Sequence, residues 1–402
     1  MSISKKESKS ENSLTNGVVI AATAITLAGL TYAAYSLLTN YLKHRNTDLG
    51  DTKRSRSCRE LIPQQILDRY EIGELLGEGT YACVFGCTNA VTKSNKFAIK
   101  VIPRKIVHDK HLVEFSPKFL EVELAILRQC DHPNILRLVD SQWTKKALVF
   151  VTERAFGGVL FDKIVEIGNY NENIAKIIFA QLLEATKYLH EVACIIHRDL
   201  KPENILLMDD GLNENEFGVV KICDFGVSKM WTRTEKCSSS SNKKKRLLRT
   251  STVTGTPGYQ APEIIVAGDY GTGVDLWSLG IILHAMLCGE LPATVPPTFT
   301  SYNSETSNAW EIVSDAGKKL VARMLQHDPA NRPSASEALK SDWLQTRRRL
   351  SKSESATKNW AKVRESLRET SQNSKAEKKE KAQKMWGKVR KLKRHFKDSS
   401  NK

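Results

Sequence analysis

The stretch that most constrains this 402-residue chain is IIHRDLKPENILLM, Ile195 to Met208. It sets Asp199, Lys201 and Asn204 in one short loop behind an apolar segment. Alone this is moderate evidence, and the neighbouring segments narrow the choice. Upstream, LLGEGTYACVF (Leu75 to Phe85) places Gly77 and Gly79 between residues of strand type. Glycines there let backbone N–H groups approach a phosphate with no Cβ in the way. The apolar strand FAIK then ends in Lys100. Each of these is ordinary alone, as a turn or a solvated strand end; together they are suggestive. A helical stretch with Glu123, FLEVELAILRQCDHPNIL, and a buried-strand run, ALVFVTERA, lead to a turn at Gly157 and Gly158. Beyond the loop come ICDFGVSK with Asp224, GTPGYQAPE ending at Glu263, DLWSLG, and DPANRPS with Arg332.

In order and spacing these segments resemble the eukaryotic protein-kinase domain, over about 275 residues of the chain. The resemblance implies an α+β, bilobal fold: a small β-rich N-lobe with one long helix (about 70–155) and a larger, mainly helical C-lobe (about 156–344). It places the domain at 61–344, after an N-terminal segment 1–60 and before a basic tail 345–402. It is similar to Ser/Thr rather than Tyr kinases in Lys201-Pro202-Glu203-Asn204, and to the calcium/calmodulin-dependent group in CDHPNILRLVD and the closing AGKKLVARMLQHDPANRPSASEALKSDWL.

The resemblance also assigns roles, with ATP and Mg²⁺ as cofactors. Lys100 would hold the α/β-phosphates and pair with Glu123. Asp224 and Asn204 would hold Mg²⁺. Asp199 would accept the substrate hydroxyl proton, and Lys201 would stabilise the transferred group. Leu76, Gly77, Glu78 and Gly79 would form the phosphate hairpin. Val84, Ala98 and Leu206 would sandwich the adenine, with Thr152 as gatekeeper and the backbone of Glu153 and Ala155 as hinge. Thr256 would sit beside Asp199 and Lys201, and Glu263 would pair with Arg332. The alternative is an inactive, kinase-like scaffold acting through protein contacts.

Several segments depart from the family pattern. Asp224 to Glu263 is long and holds a Ser run and a KKKR cluster. Thr252 stands where the family often carries an activating phosphate, which would pair with Arg198. Ala82 replaces the third hairpin glycine. Val159 stands where the family has a glutamate that touches ribose and basic substrate residues. LPATVPPTFTSYNSETSN (Leu291 to Asn308) lacks helical periodicity, so the substrate-docking helix expected there looks reduced.

The formal charge of +16 is concentrated at the ends: residues 345–402 carry a net +14 and 1–60 a net +4, leaving the body at −2. In the tail, Ser351 follows Arg348 as a basophilic phosphosite, and Met385, Trp386, Val389, Leu392 and Phe396 share one helical arc amid Lys and Arg. Residues 380–402 therefore suggest calmodulin or an anionic lipid as partner, and the resemblance implies an autoinhibitory tail that calmodulin would lift; no nucleic acid is expected. The eight cysteines form no Cys-x-x-Cys pair, which argues against zinc and for a reducing compartment. Finally, VVIAATAITLAGLTYAAYSLL, Val18 to Leu38, is uncharged and long enough to span a bilayer. With the basic residues that follow it, it predicts a single-pass membrane protein with the kinase domain cytosolic, in the endoplasmic reticulum or the mitochondrial outer membrane.

Overall fold

The computed structural model describes residues 52–79, 82–94, 96–108, 111–114, 117–208, 218–230, 255–265, 270–292 and 309–345. Two short helices come first, α1 (Lys53–Arg59) and α2 (Gln64–Leu67). They lead into β1 (Tyr70–Glu78), β2 (Cys83–Asn89) and β3 (Phe97–Pro103). A hairpin of β4 (Lys105–His108) and β5 (His111–Glu114) precedes helix α3 (Pro117–Gln129). β6 (Leu138–Trp143) and β7 (Ala147–Glu153) complete an antiparallel sheet of order β1-β2-β3-β7-β6.

The two-residue period of the strands decides what each face does. Cys83, Phe85 and Cys87 of β2, Ile99 and Val101 of β3, and Ala147, Val149 and Val151 of β7 form one apolar layer. Cys58, Ile62 and Ile66 of the α1–α2 segment close over it. Residues 53–59 lie in the N-terminal segment 1–60 that the sequence reading sets before the domain; they form α1 and pack on the sheet. The alternate residues Val84, Ala98, Lys100, Phe150 and Thr152 occupy the opposite face, as cross-strand neighbours.

The second lobe follows with α4 (Leu160–Ile167) and α5 (Glu172–Lys187), which runs into a wide helical turn, Tyr188–Ala193. The short strands β8 (Ile195–Ile196), β9 (Ile205–Leu207), β10 (Val220–Ile222) and β11 (Lys229–Met230) pair as β8–β11 and β9–β10. Helices α6 (Pro262–Ile265), α7 (Gly273–Cys288), α8 (Asp315–Met324) and α9 (Ala335–Leu339) complete it. Helix α7 is apolar on all sides and buried from Val274 to Cys288, so it is the axis on which the lobe packs. It stops at Gly289, whose φ of +78° and whose approach to the Gly168 carbonyl leave no room for a Cβ. The bilobal architecture expected from the sequence is present.

The expected single-pass membrane protein is corrected. Among the described residues no helix is long and apolar enough to cross a membrane. The longest, α5 and α7, have 16 residues each, short of the roughly 20 that a bilayer core demands, and both are packed inside the second lobe. The run Val18–Leu38 and the tail from 346 onward lie outside the described residues.

His284 gives α7 a dependence on pH. It is fully buried, its Nδ1–H donates to the Glu290 carbonyl at 2.9 Å, and its ring lies 4.9 Å from that of Trp310. Burial keeps the imidazole neutral and holds its pKa down at about 4. An unfolded histidine takes up its proton near pH 6.5. The stabilisation is therefore complete above that pH and is lost as pH falls toward 4, about 3 kcal/mol in all. Between about pH 7 and about pH 5 the wild-type Tm is expected to fall more steeply than that of His284→Gln. Parallel falls in thermal melts would refute this.

Candidate active site

The cleft between the lobes is built from the inner sheet face. Lys100 lies opposite Val84 on one side and Phe150 on the other, so its stem runs along apolar neighbours while the ammonium reaches the cleft. Helix α3 packs Leu124, Ile126 and Leu127 into the main core, which turns the buried Glu123 toward the sheet. Lys100 Nζ donates to Glu123 Oε1 at 2.7 Å and to Asp224 Oδ1 at 3.2 Å. Burial works against the lysine's charge, but Asp224 and Glu123 outweigh it and raise its pKa. The Lys100 ammonium in turn holds the Asp224 carboxyl below its usual range. Burial pushes Glu123 up, against the pull of Lys100.

The loop that carries Asp199 is gripped from below by α7. Asp275, with no exposed surface, accepts from the backbone N–H of His197 (2.9 Å) and Arg198 (2.8 Å) and pairs with His190 Nε2 at 2.8 Å. Arg198 and Asp224 both adopt positive φ, 68° and 65°, a conformation that costs about 1–3 kcal/mol for such residues. The surroundings hold Arg198 there: its guanidinium donates to the Val227 carbonyl and the Tyr270 hydroxyl. His197 sits 5.0 Å from the Phe225 ring, which ties the loop to the Asp224 segment. Sequence reading assigned no role to Asp275 or His190. The available signal was a lone carboxylate in a helix apolar on every side.

Within the loop, Lys201 Nζ lies 2.9 Å from Asp199 Oδ2 and donates to Thr256 Oγ1 at 2.6 Å. Thr256 donates to Asp199 Oδ1 at 2.7 Å. Asn204 spends its amide N–H on the Asp199 carbonyl (2.8 Å) and Oδ2 (3.2 Å), which turns its amide oxygen the other way. Gly255 makes the approach of Thr256 feasible: its φ is +103°, and a Cβ there would meet the Arg198 carbonyl at 2.6 Å. Thr256 thus stands beside Asp199 and Lys201 as expected. The expected Glu263–Arg332 pair is a two-pronged bond, at 2.6 and 2.8 Å.

The remaining residues named from sequence line the cleft unevenly. Leu76, Val84 and Leu206 are half-buried, while Ala98 and Thr152 are buried on the inner face. Glu153 faces away with its carboxylate, which accepts from the Arg137 N–H at 2.7 Å and pairs with Lys221 at 2.9 Å. The chain on either side of Ala155 is anchored: Arg154 N–H bonds to Lys96 in the first lobe and Gly157 N–H to Leu207 in the second. Glu78 is also turned from the cleft; its carboxylate accepts from the Thr52 hydroxyl on the outer face. Val159 bridges to Leu206 at the start of α4. Thr252, Ser351, residues 293–308 and the 380–402 tail lie outside the described residues.

Compared with known protein families, residues 70–344 match the Protein kinase domain. Calcium/calmodulin-dependent protein kinase cmkA of Emericella nidulans is 34% identical over 283 residues, covering 68% of this chain and 62% of that protein. Myosin light chain kinase A of Dictyostelium discoideum is 37% identical over 284 residues, covering 69% and 88%. Calcium/calmodulin-dependent protein kinase type 1B of Homo sapiens is 34% identical over 289 residues, covering 70% and 76%. The chain thus spans less than two thirds of the length of the Emericella relative.

Proposed function

The chain belongs to the protein kinase domain family, and on that premise we propose that it is a Ser/Thr protein kinase, moving the terminal phosphate of ATP to hydroxyls of protein substrates. The observation that carries this reading is Lys100 held between Glu123 and Asp224 across the cleft from the Asp199–Lys201–Thr256 cluster. Relatives named as calcium/calmodulin-dependent kinases support it.

The residues present suit both cofactors. A Cβ on Gly77 would meet nothing within 4 Å, and one on Gly79 only the Ala82 carbonyl at 3.7 Å. The chain itself makes no steric demand for glycine there, whereas a phosphate lying on the backbone does. Among the described residues no three metal-ligating side chains converge. That suits Mg²⁺, which binds through one or two protein oxygens together with phosphates and water. The Asp224 carboxylate and the amide oxygen of Asn204 would be those oxygens.

Bound ATP would supply the phosphoryl group, and bound Mg²⁺ would neutralise its charge. Lys100 orients the phosphates, and Glu123 fixes Lys100. Leu76, Val84, Ala98 and Leu206 would wall the adenine, Thr152 would close the back of its pocket, and the backbone of Glu153 and Ala155 would bond its edge. Asp199 accepts the proton of the substrate hydroxyl while Lys201 balances charge on the group in transfer. Thr256 keeps those two side chains in register. Val159 in place of the family's glutamate weakens selection for basic substrate residues. Thr252 and Ser351 are phosphosites of the chain.

We also propose calmodulin as the partner of residues 380–402, on their basic amphipathic pattern and the names of the relatives. One assay tests both readings: phosphate transfer to a basic peptide by the full chain, with and without calcium–calmodulin, beside Asp224→Ala. Transfer by wild type is expected to exceed that of the variant by at least about a hundredfold and to rise with calcium–calmodulin. Equal rates would overturn the kinase reading in favour of a scaffold. A rate indifferent to calcium–calmodulin would overturn the partner.

A further inference from the structure

Helix α1 touches the β1–β2 hairpin at three places. At the hairpin's closing pair, Glu78 opposite Cys83, both partners are engaged. Thr52, the residue that caps α1, donates its hydroxyl proton to Glu78 Oε2 at 2.6 Å. Thr52 Oγ1 itself accepts from the Ser55 N–H at 2.9 Å, so one β-branched side chain starts the helix and holds the hairpin. On the other strand, Cys58 of α1 is buried with Cys83 in the same apolar cluster. At the far end of α1, Arg59 meets the irregularity where β1 slips register between Ile72 and Leu75. Its guanidinium donates to the carbonyls of Ile72 (3.3 Å) and Gly73 (2.9 Å) and lies 4.7 Å over the Phe85 ring.

We propose that α1 is a positioning clamp for nucleotide binding, with Thr52 as its main positioning residue, acting through Glu78 on the glycine hairpin. The inference rests on the reading of that hairpin as the phosphate holder. A glycine-rich turn has more conformational freedom to lose than any other when it closes on a ligand. Fixing its base from outside removes part of that loss before the ligand arrives, and the gain appears in affinity. None of the three contacts enters the cleft, so chemistry after binding is unaffected. A clamp differs in this from mere packing, which would change stability and leave affinity alone.

The test separates the two jobs of Thr52. Aspartate caps a helix at least as well as threonine, yet it has no proton to donate to Glu78 and places a second carboxylate against it. Thr52→Asp is therefore expected to keep the helix cap while weakening nucleotide binding roughly three- to tenfold. Thr52→Ser, which keeps the hydroxyl, is expected to bind as wild type, and Thr52→Val to lose affinity with some Tm. The readouts are the Kd of a fluorescent ATP analogue with Mg²⁺, and kcat, KM for ATP and KM for a basic peptide on the full chain. The proposal predicts a change in Kd and KM for ATP alone. Unchanged Kd in Thr52→Asp, a fall in kcat instead, or no rescue by Thr52→Ser overturns it. A chain that binds the analogue with this pattern, but transfers no more phosphate than Asp224→Ala, sinks the kinase reading and leaves the clamp standing. Failure of wild type to bind the analogue overturns both.

Discussion

Asp199→Asn is expected to lower kcat by roughly 10²–10⁴-fold, with KM for ATP changed little. The substitution keeps the shape of the side chain and an oxygen that can accept from Thr256. It removes the charge that pairs with Lys201 at 2.9 Å and the capacity to take up a proton. Burial alone would lower the Lys201 pKa; the Asp199 carboxylate reverses that and keeps the ammonium charged. Losing Asp199 therefore weakens both ends of the proposed transfer step, the proton acceptor and the cation opposite it. Steady-state kinetics with a basic peptide reads the effect. A kcat within threefold of wild type would exclude Asp199 as the proton acceptor.

Glu263→Ala is expected to cost about 3–5 kcal/mol of stability, because it leaves a buried cation without its anion. The Arg332 side chain has no exposed surface and lies 4.8 Å over the Trp277 ring. With Glu263 gone, the carbonyls of Gln326, Gly273 and His327 still accept from it, but none of them carries a charge. For a body of this size the loss corresponds to a fall in Tm of roughly 6–20 °C. Removing both charges, as Glu263→Gln with Arg332→Met, is expected to cost less than Glu263→Ala alone, since no uncompensated charge remains. Thermal and urea unfolding of both variants checks this. A Tm within about 2 °C of wild type for Glu263→Ala would show that the pair contributes little.

The residues most readable from sequence were those whose chemistry restricts identity. Asp199, Lys201 and Asn204 in one loop, Lys100 on its strand, and the Glu263–Arg332 pair each require one particular side chain, and their order along the chain carried the fold with them. What escaped was carried by burial rather than by residue type. KRSRSCR, the whole of α1, is basic and short, and as a string it reads as linker. Its only apolar-like side chain, Cys58, finds a purpose once β2 presents Cys83 to it. Glu78 reads as part of a phosphate hairpin, yet the strand period sends its carboxylate to the outer face, where Thr52 takes it. Asp275 looked like one letter in DLWSLG until the fold brought the backbone of His197 and Arg198 onto it.

The sequence by itself thus determined the family, the two lobes and the identity of the groups that meet in the cleft. Local order and spacing suffice for that, since each motif is confined to a few consecutive residues. The tertiary structure alone decided which side of the sheet each side chain faces, and that α7 is the buried axis of the second lobe. It also decided that residues 52–67 belong to the body of the first lobe. Those outcomes depend on contacts between residues far apart in the chain, such as Thr52 with Glu78 and His197 with Asp275. Such contacts are set by strand register and by the burial of apolar faces, and a one-residue shift in register would reverse them.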